Sequence, residues 1–98
     1  MNLKCENIVN LDVTNVKSSK EFHQCLKTTL EFPDFYGMNW DAFWDTITGL
    51  ISLPEEINII GWKDVVHNLP EEAKSFEELM ELYNVEFSMC KCIIKYNI

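Results

Sequence analysis

Apolar and polar residues alternate over the first twelve positions of the chain. Leu3, Cys5, Val9 and Leu11 share one face, and Lys4, Glu6, Asn10 and Asp12 fall mostly on the other. A period of two is the signature of a half-buried strand. The period then lengthens: Phe22, Cys25, Leu26, Thr29 and Leu30 recur at helical spacing behind Ser18, which with Glu21 has the form of a capping box. This predicts a first helix with Cys25 on its core side, unable to run past Pro33. The stretch "FPDFYGMN" has the turn residues of a connecting loop, and Asn39 offers an N-cap for a second helix ending near Gly49.

After Pro54 the run "EINIIGW" is short and β-branched, as expected of a buried strand. Residues 63–69 suit a short helical turn. A longer helix starts either at Pro70, which fits a first helical position, or at Ser75, which has Glu78 three residues on as a capping box. Its apolar stripe is Phe76, Leu79, Met80 and Tyr83, with Glu77, Glu78 and Glu81 facing outward. Finally, "FSMCKCIIKY" sets Cys90, Cys92, Ile94 and Tyr96 against Lys91 and Lys95, a last strand. The order β-α-α-β-α-α-β predicts an α/β fold: a three-stranded parallel sheet packed with about four helices, joined by right-handed crossovers, with the first strand in the centre. No repeat or low-complexity segment divides residues 1–98, which are expected to form a single domain.

Charge narrows the choice of partner. The net charge is −8, but residues 31–86 hold two lysines against thirteen acids, a local −11, between segments of +1 and +2. All eight basic residues are lysine, so no arginine fork is present to grip a phosphate or read a guanine edge. Direct nucleic-acid binding is therefore not expected, whereas a basic protein would be steered toward the acidic segment. The N-terminus "MNLKCENIVN" is too polar for a signal sequence, and no apolar run approaches a membrane span. The expected location is cytoplasmic, with no membrane contact. Of the four cysteines only "CKC" is closely spaced, and there is no C-x-x-C. They read as small buried apolar residues in a reducing compartment, with no metal site and no cofactor.

The second helix holds the one unusual constellation. At roughly 100° per residue, Phe43, Ile47, Leu50 and Ile51 share a face with Trp40, while Asp41, Asp45 and Thr48 form an adjacent polar stripe with Trp44 on the border. Two aspartates four apart on a helix repel by a few tenths of a kcal/mol. Asp41 in the first turn gains from the helix dipole; Asp45 is too far along to gain much. As an acid–base pair they share one environment, so nothing separates their pKa values as catalysis would require, and no nucleophile, phosphate loop or ligand cluster supports them. An enzyme is not expected. A binding surface explains the pair better, because a cationic pocket in a partner relieves the repulsion that the free protein tolerates.

At these residues the sequence resembles the barstar family of intracellular ribonuclease inhibitors. The likeness is densest over "LEFPDFYGMNWDAFWDTITG", close to the family pattern L-x-x-P-x-x-Y-G-x-N-x-D-A-x-W-D-x-x-T-G, about a fifth of the chain. The resemblance implies three parallel strands with packed helices, the second helix and its preceding loop plugging the active site of a basic, barnase-like ribonuclease or related nuclease toxin. It implies that Asp45 takes the place of a substrate phosphate, that Asp41 pairs with a neighbouring cation, that Phe35, Trp44 and Thr48 line the contact, and that Gly49 permits close backbone approach. Phe35 and Leu50 stand where the family has tyrosine and tryptophan. The family's contact glutamate on the last helix aligns near Leu82, and Glu81 or Glu78 replaces it only through a shift of that helix; Glu81 is retained as the candidate. Tyr36, Gly37, Asn39 and Ala42 are accounted for by folding of the turn. The alternative is a non-nuclease protein-interaction module on the same scaffold.

Overall fold

The computed structural model describes residues 8–97. Its elements are β1 (Ile8–Asp12), α1 (Ser19–Leu30), α2 (Trp40–Gly49), β2 (Glu56–Ile60), α3 (Trp62–Asn68), α4 (Pro70–Glu86), a single 3-10 turn at Ser88–Cys90, and β3 (Ile93–Asn97). Leu3, Lys4, Cys5 and Glu6, assigned above to the first strand, lie outside the described residues. Every other expected element is present. Ser18 caps α1 by accepting from the Glu21 amide at 3.1 Å, and the Glu21 carboxylate reaches back to the Lys17 amide at 2.8 Å. The open choice at the last helix is resolved in favour of Pro70, the first residue of α4; proline is pre-organised for that position and has no N–H to leave unpaired.

The three strands are parallel, in the order β1-β2-β3, with Asn10, Asn58 and Lys95 in register across the sheet. The expectation that the first strand would be central is therefore corrected: β2 is. The reason is readable in the side chains. Val9 and Leu11, Ile57 and Ile59, and Ile94 point to the helices, whereas Asn10, Asp12, Asn58 and Lys95 point the other way. With one apolar face, all the helices must pack on that face. Right-handed crossovers achieve this only when each successive strand is added in the same direction. A central β1 would have sent the helices to both faces. On the open face Lys95 pairs with Glu56 at 3.5 Å, and Asn58 donates to Asn10 at 3.3 Å.

The core between sheet and helices is largely aromatic. Phe22 of α1 and Phe76 of α4 meet at 5.9 Å, Trp62 of α3 lies against Phe76 at 5.6 Å, and Trp40 of α2 meets Phe22 at 5.8 Å and Phe43 at 5.2 Å. The α4 stripe is placed as its spacing indicated, with Phe76, Met80 and Tyr83 buried and Leu79 half-buried. Two other expectations are corrected. Leu50, assigned to the core face of the second helix, is exposed, because α2 ends at Gly49 and the chain turns as both Leu50 and Ile51 amides donate to the Thr46 carbonyl. Cys90 lies in the 3-10 turn rather than on β3 and is exposed, while Cys92 is fully buried and Cys25 half-buried. Asn84 brackets Cys92, donating to its carbonyl at 2.9 Å and accepting from its amide at 2.8 Å.

The C-terminal ends of β1 and β2 approach closely. Gly61 follows β2 at φ +78°, and a Cβ there would lie 2.5 Å from Thr14 Oγ1 and 2.8 Å from Thr14 Cα. Left-handed backbone and backbone collision act together, so Gly61→Ala is expected to lower stability by at least ~2 kcal/mol. Urea unfolding midpoints check this; an unchanged midpoint would show that the two strand ends do not meet as described.

Candidate functional site

The second helix begins where a strained loop is pinned from both sides. Glu31 ends α1 in the left-handed conformation at φ 59°, and Met38 adopts φ 58° two residues before α2. Between them the Tyr36 amide donates to the Pro33 carbonyl at 3.0 Å, and Lys27 Nζ donates to the Asp34 carbonyl at 3.2 Å. Asn39 then does two things with one side chain: Oδ1 accepts from the Ala42 amide at 2.7 Å, and Nδ2 donates to the Gly37 carbonyl at 3.0 Å. The N-cap so formed fixes where the helix starts.

A polar cluster built on the buried His23 and Tyr36 ties this start to the rest of the molecule. His23 of α1 is 1% exposed. Its Nδ1 lies 2.7 Å from the Tyr36 hydroxyl, and its Nε2 lies 3.7 Å from Glu72 Oε1 on α4. The same carboxylate oxygen accepts from Trp40 Nε1 and from Ser19 Oγ, each at 3.1 Å. The His23 ring also packs on Trp40 with centroids 4.4 Å apart. Burial pushes the His23 pKa down, partly opposed by the Glu72 carboxylate, so the imidazole is neutral near pH 7. The Tyr36 hydroxyl lies 2.7 Å from Nδ1 and 3.4 Å from the Asn39 carbonyl, and Nε2 faces Glu72. Burial also raises the Tyr36 pKa, keeping its proton in place. One histidine thus joins α1, the loop, α2 and α4.

On the outside of the same helix, Asp41 and Asp45 are exposed, and no lysine or histidine among the described residues pairs with either. They rim an open groove of about 460 Å³ between α2 and α4, whose other lining residues are Trp40, Trp44, Leu79 and Leu82. Trp44 is half-buried, part core and part groove wall. Thr48 is half-buried on the same side, its hydroxyl donating to the Trp44 carbonyl at 2.7 Å. Phe35, on the loop, is 76% exposed and so does nothing for the core. Gly49 is exposed at the far end of the helix, and a Cβ added there would meet nothing within 4 Å.

Glu81 is placed differently. It lies on the opposite flank of α4 with Lys74, Glu77, Glu78, Met80, Asn84, Ile94 and Tyr96, and so does not join Asp41 and Asp45. Leu79 and Leu82 take the α4 wall of the acidic groove instead. Leu79, a core residue by its helical spacing, is half-buried and also lines the groove. Nothing local distinguishes Glu72 from its acidic neighbours on α4, because its contacts all come from α1 and α2. No group of three or more His, Cys, Asp or Glu among the described residues could hold a metal ion. No helix of the described residues is long and apolar enough to cross a membrane.

Comparison with known sequences gives the arrangement a context. A family profile described as Barstar (barnase inhibitor) matches residues 6–92. A protein of Bacillus subtilis (strain 168) named "Putative ribonuclease inhibitor YrdF" is 43% identical over 44 residues, 45% of this chain and 48% of that protein. The match thus spans about half the length of the relative.

The His23 cluster makes stability depend on pH. Because its folded pKa is depressed below the ordinary 6.5, the unfolded chain binds the proton more readily, and stability is fully present above that value. It is lost progressively as the pH falls below about 6.5 toward the folded pKa. Urea midpoints measured from pH 8 to pH 5 are expected to decline, and His23→Gln to flatten the decline between pH 7 and pH 5. An equally steep decline in the variant would assign it to other groups.

Proposed function

This chain belongs to the barstar family, and from that premise we propose that it is an inhibitor of a basic ribonuclease, blocking the enzyme's active site with α2 and the loop before it. The single observation that supports this most is the exposed, like-charged pair Asp41 and Asp45, which no cation among the described residues neutralises. A ribonuclease active site is built to hold phosphate with cationic groups, and a fixed carboxylate projecting from a rigid helix presents the same charge without a bond to cleave. Asp45 enters that centre, and Asp41 pairs with a cation at its edge. Phe35, Trp44 and Thr48 surround the contact. Gly49 supports the reading from another direction, because no neighbour among the described residues requires a glycine there.

Inhibition of this kind involves no chemistry of the inhibitor's own, and the protein acts stoichiometrically. An interface of standard size buries on the order of 1,600 Å² in total, and a −11 segment facing a basic enzyme accelerates encounter. The enzyme is a barnase-like ribonuclease or a related nuclease toxin, met in the cytoplasm as an immunity function requires.

The deciding experiment is titration of the purified chain into barnase-type ribonucleases while RNA cleavage is followed. Loss of activity at one equivalent is expected; undiminished cleavage throughout the panel would favour an interaction module on the same scaffold that serves a different basic protein. Asp45→Ala is expected to weaken binding by at least ~2 kcal/mol, the hot-spot threshold. The same variant should leave stability unchanged or raise it by a few tenths of a kcal/mol as helix repulsion is relieved. Gly49→Ala is expected to split the two properties as well: a stability gain of up to ~1 kcal/mol alongside weaker binding. Stopped-flow association should slow steeply with added salt, and a salt-insensitive rate would remove the acidic surface from the mechanism.

A further inference from the structure

In the order β1-β2-β3 the last strand has one neighbour, and its other side is a free edge. The Ile93 amide donates to the Glu55 carbonyl at 2.9 Å, and Ile93 and Lys95 stand opposite Glu56 and Asn58. A strand in a parallel ladder bonds a given neighbour through alternate residues, so Ile93 and Lys95 turn their amides and carbonyls to β2, while Cys92, Ile94 and Tyr96 turn theirs to the free edge. At Cys92 that edge is taken. The Asn84 side chain accepts from the Cys92 amide at 2.8 Å and donates to the Cys92 carbonyl at 2.9 Å, as a peptide group of a fourth strand would. Among the described residues nothing continues the pattern at Ile94 or Tyr96. Neither residue is proline or charged, and Lys95 between them points to the open face, where it pairs with Glu56, so the devices that commonly blunt an edge do not act here.

Beside this edge α4 and β3 enclose an open groove of about 480 Å³. Met80, Ile94 and Tyr96 give it apolar surface, and Glu77, Glu78 and Glu81 face it, with Lys74 the one cation of the lining. We propose that the free edge of β3 is a second docking site, one that takes an extended segment of a partner protein carrying lysine or arginine at every second position. The segment's backbone continues the sheet at Ile94 and Tyr96, where Asn84 has begun to. Its alternate side chains fall on the helix face, their aliphatic stems covering Met80 and Ile94 and their heads reaching the glutamates of α4. The side chains between them lie on the open face beside Lys95 and need no charge. A second copy of this chain is the poorer occupant: two-fold pairing of β3 with itself sets the α4 glutamates of one copy against those of the other, and like charges opposed across an edge are unfavourable. This flank of α4 is opposite the one that meets Asp41 and Asp45, so a partner held here leaves the acid pair of α2 exposed.

The test follows amide hydrogen exchange of the full chain by NMR, with a decapeptide alternating lysine and threonine as the probe. At about 1 mM peptide, exchange at Ile94 and Tyr96 is expected to slow about fivefold or more, the protection that binding linkage gives to a site mostly filled. The Ile93 and Lys95 amides, which face β2, report that the sheet is intact throughout. The same peptide N-methylated at alternate residues, which cannot donate along the edge, and a glutamate–threonine peptide should each change exchange less than about twofold. The double variant Glu77→Gln with Glu81→Gln should reduce the slowing caused by the lysine peptide to a similar level. Unslowed exchange at Ile94 and Tyr96 with the lysine peptide overturns the site, and equal slowing by the glutamate peptide, or by the lysine peptide on the double variant, overturns its preference for a basic segment. Sedimentation of the chain alone should show a monomer; a dimer with Ile94 and Tyr96 already protected assigns the edge to a second copy instead. The inhibitor reading is untouched by any of these results, because it is decided at α2.

Discussion

The rotation of α2 about its own axis is the setting on which everything outside the core depends, and burial of Phe43 fixes it. That ring is completely inaccessible and sits within 6.0 Å of Phe32, Trp40 and Phe76 by centroid. Ile47, one turn on, is equally committed to the core. With that face held, the helical period leaves Asp41 and Asp45 no freedom: they project outward, one turn apart. A rotation that brought either carboxylate inward would expose aromatic surface and bury an unpaired charge at once, and both changes are costly.

The position of the helix along its axis is set separately, by polar contacts. Asn39 marks its first turn through paired hydrogen bonds to Ala42 and Gly37, and the His23, Tyr36, Trp40 and Glu72 cluster holds that turn against α1 and α4. Each buried polar atom in the cluster faces a partner, consistent with the absence of unsatisfied buried side-chain atoms among the described residues. Apolar packing alone tolerates small slides; a hydrogen-bonded histidine between three elements does not. The loop that carries exposed Phe35 is thereby held in place although it contains two residues of left-handed backbone.

The outer surface shows the converse economy. Placing lysine near Asp41 or Asp45 would have relieved a repulsion of a few tenths of a kcal/mol, yet the described lysines pair elsewhere or point to solvent. That small standing cost is accepted, and neither carboxylate has a counter-charge among the described residues. On α4, Glu77, Glu78 and Glu81 line the far flank, Glu72 meets Trp40 and His23, and Leu79 and Leu82 line the groove.

The periodicity of the chain determined the element order, the capping residues Ser18 and Asn39, the core stripe of α4 and the outward stripe at residues 41, 45 and 48, because each follows from rules local to one helix or strand. The resemblance over residues 30–49 reached the family for the same reason: loop, cap and acid pair are contiguous. Only the tertiary structure decided that β2 is central, since strand order depends on which faces of all three strands are apolar together. Only it placed Glu81 on the far flank of α4 and Leu82 at the groove, because a helix's own period does not say which neighbour each flank meets. The part played by Glu72 was likewise hidden: its three contacts come from residues 32, 49 and 53 positions away, and no window of sequence spans them.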